Sequence, residues 1–305
     1  MKNIIRTAVF TLAAVLPLLG SAGLRITVSI PPFAQFAEKV AGPGHRISVM
    51  IPDNQAPNTY SPSPRQMMDL EKADLYISIG MPQYPMETRF IYPFLKDHPD
   101  IRHIRMSESI QLLPALEHDH HDEHADELGD HGKHEAESPD RSEYDPHIWL
   151  GPDNVLRFVL DLRDLLMSMD PENADLYRIN AENFSREIRT LQLGIREQLS
   201  ELPSRKFMVY HPAWSYFAEE FGLQQVAIEQ AGKEPGPRQL MDIIESARRE
   251  KIPVIFVQKG FSTRSASVIA REVGAGVLEL NPLDEDWLKN LQRTADTFRQ
   301  YGGTP

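Results

Sequence analysis

The sequence predicts an α/β protein of two lobes built from parallel βα units, joined by a long helix, with a ligand cleft between the lobes. Three observations predict it. Short β-rich runs alternate with amphipathic helical stretches near the start of the chain. The same alternation resumes after residue 205. Between the two blocks lie two long helical patterns with no strand signal. Alternation of this kind points to parallel sheets covered by helices.

Taken in order, "LRITVSI" (24–30) reads as a strand and "PPFAQFAEKVAG" (31–42) as a helix with Phe33, Phe36, Ala37 and Val40 on one side. "RISVMI" (46–51) is a second strand. "PRQMMDLEKA" (64–73) is a helix opened by Pro64 in its first turn. "DLYISIG" is a third strand, "PMETRFIYPFLKDH" (85–98) a helix, and "RHIRM" a fourth strand. After "YDPHIWLGP" comes the helical run 152–169, with Val155, Val159, Leu162, Leu166 and Met169 on one face. A second helix is expected to start at Asp170–Pro171, a cap and first-turn pair. Its stripe runs Tyr177, Phe184, Ile188, Leu191, Ile195 and Leu202 to a stop at Pro203. A helix of that length spans roughly 45 Å, enough to run beside both lobes. The second block then reads "KFMVYH", "LQQVAI", "VIFVQ" and "GVLEL" as strands. The helices of that block are "PAWSYFAEEFG", "PRQLMDIIESARRE", "STRSASVIAREVG" and "EDWLKNLQRTADTFRQY".

Four segments follow from this pattern. Residues 1–22 read as a cleaved secretory signal: Lys2 and Arg6 precede an apolar run, and "GSA" ends at Ala22. Residues 23–150 form the first lobe, 151–203 the helical connection and 204–305 the second lobe. Residues 117–143 interrupt the first lobe. They are acidic and almost without large apolar side chains, which predicts a disordered surface loop. The chain has no cysteine, so thiolate metal sites, cysteine nucleophiles, disulfides and an acylated-cysteine anchor are excluded. A soluble periplasmic protein is the simplest expectation. The net charge of −12, with no basic patch, argues against nucleic acid.

Ligands of open α/β sheets sit beyond the carboxyl ends of the strands. Three polar positions fall there: Asn58 after "ISVMI", His211 after "KFMVY" and Asn281 after "GVLEL". His147, in "DPHIW", follows a turn-prone Asp-Pro. Taken singly, His147 is more simply a structural histidine and His211 a helix cap. Together, at element boundaries beside the expected cleft, they point to metal, because neutral imidazole is a common metal ligand. Asp145 is placed to orient the His147 ring. The stretch "EHDHHDEHADELGDHGKHE" (117–135) carries His118, His120, His121, His124, His131 and His134, six of the chain's eleven histidines. It offers many weak, exchangeable sites to borderline ions such as Zn²⁺. Trp149, Trp214 and Trp287 read as core or cleft-wall aromatics. No phosphate loop, nucleophile elbow or H-E-x-x-H motif is present.

These segments, in this order, resemble the periplasmic metal-binding proteins of zinc and manganese ABC importers. The likeness rests on "SIPPFAQFAEKVAG", "PNTYSPSPRQM", "KADLYISIG", "DPHIWLGP", "HPAWSYFAEEFGL", "GKEPGPRQL", "VIFVQKGFSTRSA" and "LELNPL". A His-rich acidic loop before "DPH" is typical of the zinc importers. The resemblance implies two Rossmann-like lobes joined by a rigid helix, with one metal ion between them. It implies a monomeric receptor, not an enzyme, that delivers Zn²⁺, or Mn²⁺ or another divalent ion, to an ABC permease. His147 and His211 match the family's ligands. Asn58 stands where the family has the histidine of "PHTY", and Asn281 where it has the aspartate of "LDPL". Glu229, in "AIEQAGKE", is a candidate replacement ligand. The remaining alternatives are a shell completed by the His-rich loop, a cleft that takes a chelated metal complex, or a periplasmic metal buffer working through the loop.

Overall fold

A computed structural model describes residues 23–53, 55–115, 141–229, 233–258 and 264–302. The expected signal segment 1–22 and the six loop histidines, His118 to His134, lie outside these residues. Arg141–Glu143, expected within the disordered loop, instead form a short helical turn. Two bonds hold it. Arg141 Nη1 donates to Ser107 Oγ at 2.7 Å, and Ala115 N donates to Glu143 O at 2.8 Å.

The first lobe is a four-stranded parallel sheet of β1 (Arg25–Val28), β2 (Arg46–Val49), β3 (Leu75–Ser78) and β4 (Arg102–Arg105), in the order β2-β1-β3-β4. The second repeats the plan with β5 (Lys206–Val209), β6 (Gln224–Ala227), β7 (Val254–Val257) and β8 (Gly276–Glu279), in the order β6-β5-β7-β8. The central strands β3 and β7 are buried on every residue. That is the pattern of strands covered by helices on both faces.

The helices form where the apolar period demands them. Helix α1 (Pro31–Ala41) opens on two prolines and buries Phe33, Phe36, Ala37 and Val40 completely. Helix α2 (Pro64–Leu70) is set by a capping box between Ser63 and Gln66. The stretch expected as one helix over 85–98 is a π-helical turn (Met86–Ile91) running into α3 (Tyr92–Asp97). Pro93 lacks the N–H that an uninterrupted α-helical ladder needs. Helix α4 (Pro152–Met169) is as expected. Helix α5 (Ala174–Leu199) is shorter at both ends than the sequence suggested. Asp170 and Pro171 open a separate one-turn helix (Pro171–Asn173), because the Asp170 carboxylate accepts from Asn173 Nδ2 at 2.8 Å and Tyr177 Oη at 2.6 Å. At 26 residues, α5 is about 39 Å long. The second lobe adds α6 (Ser215–Phe221), α7 (Pro237–Arg249), α8 (Arg264–Val273) and α9 (Trp287–Gly302).

One apolar core runs through both lobes. It joins β1, β3, α1, α4 and α5 to Phe207, Phe256, Trp287, Leu291 and Phe298. Helix α9 returns across the molecule: the Trp287 ring meets Phe36 edge-on at 5.2 Å, and Leu288 N donates to Gln35 Oε1 at 3.1 Å. No helix among the described residues is long and apolar enough to cross a membrane.

Candidate metal centre

The carboxyl ends of both sheets face a cavity of about 340 Å³. The first lobe lines it with the loop after β2 (Asp53, Gln55, Pro57, Asn58) and with Gln83 and Tyr84 after β3. The second lobe lines it with His211, Glu229, Gln258 and Asn281, one after each of its strands. Asp145, His147 and Trp149, from the stretch just before α4, complete the wall.

Each histidine is positioned by its own carboxylate. Asp145 Oδ1 accepts from the His147 backbone N–H and from His147 Nδ1, both at 2.8 Å. Asp145 is in turn pinned through its backbone. Its N–H donates to Leu113 O at 2.9 Å, and its carbonyl accepts from Tyr216 Oη at 2.9 Å. On the other side, Glu229 Oε1 takes the Nδ1 of His211. The sheet produces this pair. Strands β5 and β6 run parallel with Val209 opposite Ala227, so His211 and Glu229 leave their strands side by side. His211 does not cap α6, whose N-cap is Trp214.

The two rings converge. His147 Nε2 and His211 Nε2 are 3.2 Å apart, with the ring planes at 78°. Two imidazole nitrogens, each about 2.0–2.1 Å from a tetrahedral zinc ion, lie about 3.3 Å apart. A carboxylate only accepts, so each Nδ1 donates to its carboxylate and the two Nε2 atoms are left facing each other. Two ring nitrogens converging at this separation can hold one cation between them. Burial depresses the basicity of His147 despite the opposing pull of Asp145, and the facing His211 depresses it further. Burial pushes Asp145 upward, but its contacts with His147 hold it below the usual carboxylate range. The pair is therefore a neutral imidazole on an ionised carboxylate, the form that binds metal.

The other expected residues reach the cavity in different ways. Asn58 lines it from an exposed position on the first-lobe loop. Asn281 lines it too, but its Oδ1 accepts from Leu283 N at 3.0 Å, closing its own turn. Glu229 stands on the far nitrogen of His211. Among the described residues, no group of three or more His, Cys, Asp or Glu side chains is arranged to hold a metal ion.

A support beneath the first-lobe wall escaped the sequence reading. Glu87 is fully buried and accepts from Ile79 N at 2.8 Å, Gly80 N at 2.9 Å, Tyr92 Oη at 2.8 Å and Ser29 Oγ. Burial raises its pKa against these bonds. The network sets the turn after β3. There Gly80 has φ +85°, and a Cβ would lie 2.4 Å from Ser107 Oγ. From that turn Gln83 Nε2 donates to Tyr144 O at 2.8 Å, one residue before Asp145. Only a buried carboxylate inside a helical pattern could have signalled it.

Comparison with known proteins agrees with this architecture. Residues 26–301 match the model of the family described as ZnuA, zinc-uptake complex component A, periplasmic. The chain is 24% identical over 279 residues to the zinc-binding protein AdcA of Streptococcus pyogenes, covering 90% of this chain and 53% of that protein. It thus spans about half the length of its streptococcal relatives. It is 25% identical to the iron-binding protein YfeA of Yersinia pestis, covering 97% of this chain and 96% of that one. A crystal structure of ZnuA superposes with a TM-score of 0.81 at 34% identity, covering 92% of this chain and 99% of that one.

Proposed function

The chain belongs to the family of periplasmic zinc-uptake complex component A proteins, and on that footing we propose that it captures a divalent metal ion, zinc foremost, and delivers it to an ABC-type permease. The ion is cargo and undergoes no chemistry, so the protein is a receptor and not an enzyme. His147 and His211 bind it through Nε2. Asp145 and Glu229 act through the opposite ring nitrogens, fixing tautomer and orientation. The His-rich loop serves as an accessory collector. YfeA, named for iron, supports a site open to other divalent ions.

One observation carries this reading: the 3.2 Å convergence of two Nε2 atoms whose rings are both anchored from behind by carboxylates. Competition titration with Zn²⁺ tests it. The full chain should show one equivalent tighter than the rest, lost in His147→Ala and in His211→Ala. A tightest equivalent indifferent to both substitutions would refute the cleft site.

A further inference from the structure

One hydroxyl joins the two segments that carry the metal-binding histidines. Tyr216 lies in the first turn of α6, the helix that follows His211. Its ring is buried, and its hydroxyl sits between two backbone groups. Leu113 N donates to Tyr216 Oη at 3.1 Å, and Tyr216 Oη donates to Asp145 O at 2.9 Å. The direction is fixed, because a backbone N–H only donates and a carbonyl only accepts. Leu113 and Asp145 are themselves paired, Asp145 N donating to Leu113 O at 2.9 Å.

These contacts bracket His147. On one side stands Asp145, whose carboxylate takes the His147 backbone N–H and Nδ1. On the other stands Gly151, where a Cβ would lie 3.0 Å from Tyr216 Cβ, so the chain closes on the tyrosine there as well. At its own end Tyr216 is tied to His211 by the short link into α6. Ala213 N donates to His211 O at 2.9 Å, and Trp214 N donates to Gln225 Oε1 at 2.8 Å. A displacement of α6 from Asp145 would therefore change the separation of the two Nε2 atoms, which are 3.2 Å apart.

We infer that Tyr216 is a positioning residue for metal capture: its hydroxyl sets the spacing of His147 and His211 before an ion arrives. The inference rests on the receptor reading above. The hydroxyl is engaged by two backbone groups, so it acts through the histidines and not on the ion. A pair that is already set avoids the cost of ordering on binding. It also favours one class of ion. Imidazole suits zinc, whereas Mn²⁺ draws more on oxygen donors and gains less from two converging rings. Tyr216 then contributes to selectivity as well as to affinity.

The test uses the full chain, Tyr216→Phe and, as a control, Tyr177→Phe, which removes the bond of another tyrosine hydroxyl to Asp170. Each is titrated competitively with Zn²⁺ and with Mn²⁺. Tyr216→Phe should weaken Zn²⁺ binding about 10-fold and Mn²⁺ binding less, lowering the ratio of the two affinities. Tyr177→Phe should leave that ratio unchanged. A Tyr216→Phe ratio no lower than that of the unaltered chain would overturn the assignment and leave the receptor reading intact, since a merely structural role weakens both ions alike. Hydrogen exchange on the metal-free, unaltered chain tests the same point without a substitution. The Leu113 and Asp145 amides should already be protected there. Protection that appears only on adding Zn²⁺ would also overturn the assignment. No tight equivalent in the unaltered chain would overturn both.

Discussion

Trp287 donates its indole N–H to the backbone carbonyl of Trp149 at 2.7 Å, and Trp149 donates its own to Pro282 O at 2.7 Å. Both rings are buried. The pair ties the segment carrying His147 to the start of α9 and to the loop carrying Asn281. Trp287→Phe keeps most of the aromatic surface but leaves the Trp149 carbonyl without this donor. Denaturant unfolding should show a loss of about 1–3 kcal/mol, with metal affinity falling as the His147 segment loosens.

Glu229 separates a ligand from a supporting residue. As the acceptor behind His211, it should cost about 10- to 100-fold in zinc affinity when changed to Ala, and less when changed to Gln. Isothermal titration of both variants checks the order. A loss equal to that of His211→Ala would place Glu229 on the ion itself.

Asn58→His restores an imidazole to the first-lobe loop. Zinc affinity should rise at least about tenfold, because a neutral amide is replaced by a strong donor. Competition titration of the variant reads the gain.

Zinc should stabilise the fold through mass action. A hundredfold excess over the dissociation constant contributes about 2.7 kcal/mol if the unfolded chain does not bind. Thermal melts with and without zinc should differ for the unaltered chain and converge for His147→Ala.

A pH dependence unrelated to metal arises at Glu220. Its carboxylate accepts from Gln192 Nε2 at 2.6 Å and Asp153 N at 3.0 Å, and burial raises its pKa from 4.5 to about 7. The folded state holds this proton more tightly than the unfolded state does. The contribution to stability is therefore full below about pH 4.5 and is lost as pH rises through about 7, by at most about 1.4 kcal/mol per pH unit. Glu220→Gln should flatten the stability curve between pH 5 and 8, as measured by urea unfolding of the metal-free protein.

The two lobes were legible because their strands are short apolar runs and their helices carry the 3.6-residue period. Phe33, Phe36 and Val40 all fell where that period put them. His147 and His211 were legible from their place at element ends. Less legible was anything set by pairing between distant segments. The partnership of His211 with Glu229 depends on the β5–β6 register, which the order of residues along the chain does not express. Gln192 broke the apolar stripe of α5 yet is buried, because it binds both Asp153 and Glu220. Glu87 stayed hidden for the same reason, its donors coming from just after β1, from just after β3 and from α3. The start of α5 was misjudged because the Asp170 side chain serves Tyr177 instead of a helix N-terminus.

The continuous core also bears on how cargo leaves. Parting the lobes like the covers of a book would pull Trp287 from Phe36, exposing on the order of 150–250 Å² for each aromatic ring. A spine that is costly to break opposes a hinge between the lobes. Residence time is then governed by how fast individual donors let go, one after another.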